Sequence, residues 1–273
     1  MSDEAIQVVS ISPAESDSIP PGVLRLDYRS GADGLADWAL LWPPESGTTW
    51  IVNLHGYGSH GDQLYVRADI RRDWLPEFRR RGLGVLTPNL RDNAWMSPAA
   101  SADLRGLLQS ARERHGAGRF VFVGGSMGGT GNLVYAVLHP EDVAGVAALC
   151  PATDIASLYR RYGSQGDSPR AREFAESIRA GYGGTPDESP RTYERHSCLR
   201  HCDRLTMPVF LAHGEADGSI PVGDSRALAA ACAGQRLKYV EIPGGDHDAP
   251  LAAPIMQQAL DWVLGRGAAG PPG

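Results

Sequence analysis

The sequence predicts an α/β fold: a mostly parallel, eight-stranded sheet flanked by helices, with a small cap insertion. Three observations predict it. Short apolar or β-branched runs bounded by Gly, Pro, Asn or Asp recur along the chain. Between them lie stretches whose apolar residues return every three or four positions, and this alternation calls for a sheet covered on both faces. One stretch, 154–206, breaks the alternation, and long insertions in such folds often cover the site.

The expected strands are 23–29, 38–42, 50–54, 84–87, 120–123, 143–149, 209–212 and 238–242. Nothing helical separates the first two, so they are expected to form an antiparallel hairpin at the sheet edge. Helical spacing marks 64–81, 102–114, 127–138, 225–233 and 254–264. Pro76 falls inside the first of these and must interrupt or kink it, because proline lacks the donor and crowds the preceding turn. The stretch 154–206 is Arg-rich and punctuated by Gly163, Gly166, Pro169, Gly181, Gly183, Gly184, Pro186 and Pro190. It reads as a cap with one helix, near 171–180. Residues 1–20 and 265–273 are rich in small residues, Pro and Gly and are expected to be loose ends. The whole of 1–273 reads as one domain, long enough for a substantial core.

Composition narrows the function. The net charge is -6 and no basic stripe is present, which argues against nucleic acid as a partner. The run Arg79-Arg80-Arg81 ends a helical stretch beside Glu77 and reads as a solvated helix end. Residues 1–10 lack the basic start and apolar centre of a secretory signal, and no apolar run reaches the roughly 18 residues of a membrane span. A soluble, cytoplasmic protein with no membrane partner is expected. Cys150, Cys198, Cys202 and Cys232 are too few for a disulfide framework. Cys198 and Cys202 lie near His196 and His201, but not at the spacing of a common zinc site. No metal and no cofactor are expected.

The strongest chemical signal is Gly124-Gly125-Ser126-Met127-Gly128-Gly129, after an expected strand and before an expected helix. In that context Gly-x-Ser-x-Gly makes a sharp turn that lifts the serine hydroxyl above the sheet. A hydroxyl is a weak nucleophile at neutral pH and needs a base. Two later strands end in candidates. The first is followed by His213-Gly214-Glu215-Ala216-Asp217 and the second by Pro243-Gly244-Gly245-Asp246-His247. The order serine, acid, histidine is the one this topology uses, and both loops leave carboxyl ends of strands. His247 is the expected base and Asp217 the expected acid that orients it, with Glu215 as the rival acid. His55, His115 and His213 are weaker candidates for the base; His213 reads as a brace for the acid loop.

Acyl transfer also needs donors for the negative oxygen of the tetrahedral intermediate. Met127, next after the serine, supplies one backbone N–H by position. The loop His55-Gly56-Tyr57-Gly58-Ser59 is placed to supply another, from Tyr57 or alternatively Gly56. Trp95 and Asp154 are candidate pocket residues. Trp95 reads equally as packing, and Asp154 equally as a helix N-cap.

The set His55-Gly56-Tyr57-Gly58, Gly124-x-Ser126-x-Gly128, His213-Gly214-x-x-Asp217 and Gly245-Asp246-His247 resembles the α/β-hydrolase superfamily over 50–264. Within it, the chain looks similar to the prolyl-oligopeptidase-like and dienelactone-hydrolase-like esterases. Pro151-Ala152-Thr153-Asp154 and Tyr182-Gly183-Gly184-Thr185-Pro186 resemble stretches of that peptidase family. The resemblance implies the α/β-hydrolase fold and hydrolysis of a small-molecule carboxylic ester through an acyl-Ser126 intermediate. Many relatives carry an N-terminal propeller that restricts access to peptides; these residues leave no room for one, which favours an esterase. A peptidase or amidase, an acyltransferase and a silent binding protein on the same fold are the rival readings.

Overall fold

A computed structural model describes residues 6–165, 168–234 and 236–265. In chain order its elements are β1 (Gln7–Pro13), β2 (Leu24–Arg29), β3 (Ala36–Trp42), β4 (Thr49–Leu54), α1 (Gln63–Val66), α2 (Ala68–Asp73), α3 (Leu75–Arg80), β5 (Gly84–Pro88), α4 (Pro98–His115), β6 (Arg119–Gly125) and α5 (Met127–Leu138). The second half adds β7 (Gly145–Leu149), α6 (Ile155–Gly163), α7 (Pro169–Tyr182), α8 (Pro190–Arg195), β8 (Val209–Gly214), α9 (Val222–Ala231), β9 (Leu237–Ile242) and α10 (Ala253–Val263).

The strands form one sheet in the order β1-β2-β3-β5-β4-β6-β7-β8-β9. β1, β2, β3 and β5 pair antiparallel in turn, and β5, β4, β6, β7, β8 and β9 pair parallel. Residue alternation sorts the core onto the two faces. Trp50, Val52, Phe120 and Phe122 join the side covered by α4–α9. Their neighbours Ile51, Val121 and Val123 join the side covered by α1–α3 and α10. Burial on both faces explains why the central strands read as near-continuous apolar runs. No helix among the described residues is long and apolar enough to cross a membrane.

The sheet has nine strands rather than eight. The extra one is β1, which pairs with β2 from Gln7↔Arg29 to Pro13↔Leu24, so residues 7–13 are not a loose end. Its register shifts between Val8 and Ser10. That irregularity breaks the two-residue alternation by which a strand is recognised. The expected hairpin of β2 and β3 does form, but β1 covers its outer side and becomes the edge. The loose-end expectation for residues 1–5 and 266–273 lies outside the described residues.

The expected helix 64–81 is three short helices, broken at Arg67, whose backbone is extended, and at Trp74. Pro76 sits in the first turn of α3, where its missing N–H costs no hydrogen bond. The insertion between β7 and β8 carries three helices, not one. Pro169 and Pro190 open α7 and α8, and Gly183 closes α7 in the left-handed conformation. Residues read as breakers are therefore the helix ends themselves. α6 turns Ile155, Leu158 and Tyr162 inward, and α7 turns Phe174, Ile178 and Tyr182 inward. Gly166 lies outside the described residues.

Candidate active site

Strand β6 runs into α5 through a turn with no slack. Ser126 stands at its apex with φ 56° and ψ -124°, a conformation that costs an ordinary side chain roughly 1–3 kcal/mol. Neighbouring backbone holds it there. The Ser126 N–H donates to the Leu149 carbonyl at 2.8 Å, and the Ser126 carbonyl accepts from the Thr130 N–H at 2.9 Å and the Thr130 hydroxyl at 3.0 Å. A Cβ on Gly124 would stand 2.9 Å from the Gly128 carbonyl carbon and from the Leu54 oxygen. One on Gly128 would collide with the Leu54 carbonyl. The two motif glycines are there because β6, α5 and β4 touch backbone to backbone.

The loops after β8 and β9 are locked to each other. Ala216 N–H donates to the Gly245 carbonyl at 2.8 Å, and Glu215 N–H to the Ile242 carbonyl at 3.0 Å. Gly214 packs so closely on Gly245 and Asp246 that no side chain fits there. The result brings three sequence-distant groups into a line. His247 Nε2 lies 2.9 Å from Ser126 Oγ, and His247 Nδ1 lies 2.6 Å from Asp217 Oδ2. Glu215 turns away and accepts the Gly244 N–H at 3.0 Å.

Asp217 is enclosed by donors. Its Oδ1 accepts the N–H groups of Ser219 at 2.7 Å and Ile220 at 3.0 Å, and its Oδ2 also faces His213 Nε2 at 3.2 Å. Burial opposes its charge, but the hydrogen bonds from His213 and His247 outweigh burial and hold the carboxyl well below the usual carboxylate range. An ionised carboxylate only accepts, so His247 Nδ1 carries the proton and Nε2 is left as the acceptor facing Ser126. The rival base candidates His55, His115 and His213 are engaged with groups other than Ser126. His55 Nε2 meets the Asn89 carbonyl, His213 is fully buried against Ser225 and Ile220, and His115 packs on Trp50.

The sequence favours Tyr57 as the loop's oxyanion donor, with Gly56 as the alternative. The Gly56 N–H is taken by the Gln63 side-chain oxygen at 3.0 Å, and the Gly58 N–H by that of Asn93 at 2.8 Å. Among the described residues, the N–H groups of Tyr57 and Met127 have no acceptor. The Met127 N–H also opens the 12-residue α5, whose N-terminal end carries partial positive charge. The loop-holding roles of Gln63 and Asn93 are not legible in the sequence, because an isolated amide side chain carries no motif. Only the folded loop shows what they hold.

A cavity of about 300 Å³ opens beside Ser126 and His247. Tyr57, Trp95, Tyr162 and Phe174 form an aromatic wall, with Tyr57 and Phe174 centroids 4.0 Å apart. Tyr162 and Phe174 come from α6 and α7, so the insertion closes the cavity from above. Trp95 both lines and packs: it faces the cavity, its Nε1–H donates to Ser177 at 3.0 Å, and its own carbonyl accepts from Tyr182 at 2.9 Å. Asp154 is not a pocket residue. Its carboxylate caps α6 by accepting the Ser157 N–H at 2.7 Å, and it accepts the Ser197 hydroxyl at 2.6 Å. In the Cys198 region, His196 and His201 face the backbone carbonyls of Thr192 and Glu194, and the described cysteines are free thiols.

Comparison with known proteins places this architecture. Residues 49–181 match the family model of the alpha/beta hydrolase fold. No curated protein is a significant sequence match. Among solved structures, the chain is similar to Est1E from Butyrivibrio proteoclasticus at 19% identity and a TM-score of 0.65, over 86% of this chain and 96% of that one. It is similar to the fluorophosphonate-binding serine hydrolase F of Staphylococcus aureus at 16% identity and a TM-score of 0.69, over 90% and 99%. A puromycin-hydrolyzing peptidase of Mycobacterium tuberculosis matches at 18% identity and a TM-score of 0.66; the match takes in 96% of this chain but only 46% of the peptidase. This chain has the α/β-hydrolase fold.

Proposed function

We propose that this protein is a serine hydrolase that cleaves carboxylic esters through an acyl-Ser126 intermediate. The observation that carries the reading is the unbroken relay from Ser126 Oγ to His247 at 2.9 Å and from His247 to Asp217 at 2.6 Å. Ser126 Oγ adds to the ester carbonyl while His247 Nε2 takes its proton. The carbonyl oxygen becomes negative and meets the N–H groups of Tyr57 and Met127, which have no other acceptor among the described residues. Collapse expels the alcohol, which receives the proton from His247. Water then adds to the acyl-serine with His247 again as base, and the acid leaves as Ser126 recovers its proton. Asp217 stays ionised throughout and stabilises the imidazolium.

The cavity supports a small-molecule substrate, since about 300 Å³ is at the lower end of the range for small-ligand pockets. Ester and amide are separated by comparing 4-nitrophenyl butyrate with the matched 4-nitroanilide. The ester is expected to be turned over and the anilide left essentially intact. Comparable kcat/KM for the two would replace this reading with an amidase or peptidase.

A further inference from the structure

The cavity wall carries two arginines in different circumstances. Arg67 is committed: its Nε and one terminal nitrogen hold Asp69 at 2.9 and 2.8 Å, and it also reaches Asp248 at 3.3 Å. Two carboxylates for one guanidinium leave that end of the cavity with no spare positive charge. Arg170 is different. It enters from the start of α7 and lines the same cavity as Ser126 and His247. Its guanidinium carbon stands 5.5 Å from the centre of the Phe174 ring. It makes no hydrogen bond and no ion pair with the described residues. Glu173, three residues further along α7, accepts the Tyr57 hydroxyl at 3.2 Å.

We propose that Arg170 makes this site selective for esters that carry a carboxylate. The proposal rests on the ester-hydrolase reading above and names the substrate class within it. Contact with the Phe174 ring restricts the long side chain, as a cation over an aromatic face does. Its N–H fork, whose geometry suits a carboxylate, has no partner among the described residues. The wall of Tyr57, Trp95, Tyr162 and Phe174 takes the apolar part of the ester, and Arg170 takes the charged end. Because Arg170 is exposed, the gain is that of a solvent-facing ion pair, up to about fivefold in kcat/KM, and salt weakens it.

The test compares a charged ester with a neutral one of equal length within each variant. Mono-4-nitrophenyl glutarate against 4-nitrophenyl valerate puts the carboxylate on the acyl half; 3-carboxyphenyl butyrate against 3-carbamoylphenyl butyrate puts it on the alcohol half. The ratio of kcat/KM, charged over neutral, is expected to fall about fivefold from wild type to Arg170→Gln. It is expected to fall further in Arg170→Glu, to be retained in Arg170→Lys, and to shrink for wild type in 0.5 M salt. One arm showing this pattern supports the proposal and tells which half bears the charge. A cap-packing role alone would move both esters together. Identical ratios in wild type, Arg170→Gln and Arg170→Glu, in both arms, overturn the proposal and leave the ester reading standing. Absence of turnover for every ester overturns both.

Discussion

His213 stands 3.2 Å from the Asp217 carboxylate oxygen that also holds His247. Its other ring nitrogen meets Ser225 at 2.7 Å, so a fully buried ring is tied at both ends and fixes the acid from behind. One hydrogen bond to a charged group is worth about 1.5–3 kcal/mol. His213→Ala is therefore expected to lower kcat roughly ten- to a hundredfold with little change in KM, and to lower stability by a similar free energy. Steady-state kinetics beside urea unfolding separates the two effects. An unchanged kcat in folded protein would remove His213 from the acid's support.

Asp217 also sets an acid limit on stability. Its carboxyl is held below its unfolded value of about 3.9, so ionisation favours the folded state. That stabilisation is complete above the unfolded value and is lost as pH falls toward the folded one. Urea midpoints of wild type should drop below about pH 4, and the Asp217→Asn variant should show a shallower drop. At neutral pH, Asp217→Asn is expected to cut kcat by about 10⁴, because the amide no longer enforces the tautomer with Nδ1 protonated. Parallel stability curves for the two proteins would contradict the linkage.

The oxyanion loop gives a sharper prediction. Gln63 and Asn93 hold the N–H groups on either side of Tyr57 and touch no reacting atom in this scheme. Removing a donor itself costs about 10²–10³ in kcat, and removing a support should cost less. Gln63→Ala and Asn93→Ala are each expected to lower kcat about tenfold with KM nearly unchanged. The double variant should fall short of the product of the two, since both act on one loop. A rise in KM alone would make them pocket residues instead.

Asp154 separates packing from chemistry. As an N-cap of α6, its loss should cost about 1–2 kcal/mol of stability. The Asp154→Ala variant, assayed well below its melting temperature, is expected to keep wild-type kcat/KM. A lost activity without lost stability would return Asp154 to the pocket.

What could be read from the sequence follows from where the information lies. Ser126, Asp217 and His247 could be ordered because each follows the carboxyl end of a strand, and strands announce themselves locally through apolar and β-branched residues. Strand β1 could not, because the irregularity between Val8 and Ser10 spoils the alternation of its side chains. The helices of the insertion are hidden in the sequence for a related reason: Pro169, Gly183 and Pro190 are equally good as breakers and as helix ends, and only packing of Phe174 and Tyr182 decides. Tyr57 could be named ahead of Gly56 from the loop motif, but what occupies the Gly56 N–H is a side chain seven positions away, which no motif links to the loop. Asp154 offered an N-cap and a pocket carboxylate with equal weight, and Ser157 and Ser197 settled it in space.

The central claim is that Ser126 is the nucleophile. It is tested most directly by treating the protein with a fluorophosphonate and locating the adduct by intact-mass and peptide mass spectrometry. One phosphonyl group on Ser126 is expected, with no adduct and roughly a 10⁶-fold lower ester turnover in Ser126→Ala. An adduct on another residue, or an alanine variant that turns over ester at the wild-type rate, would contradict it.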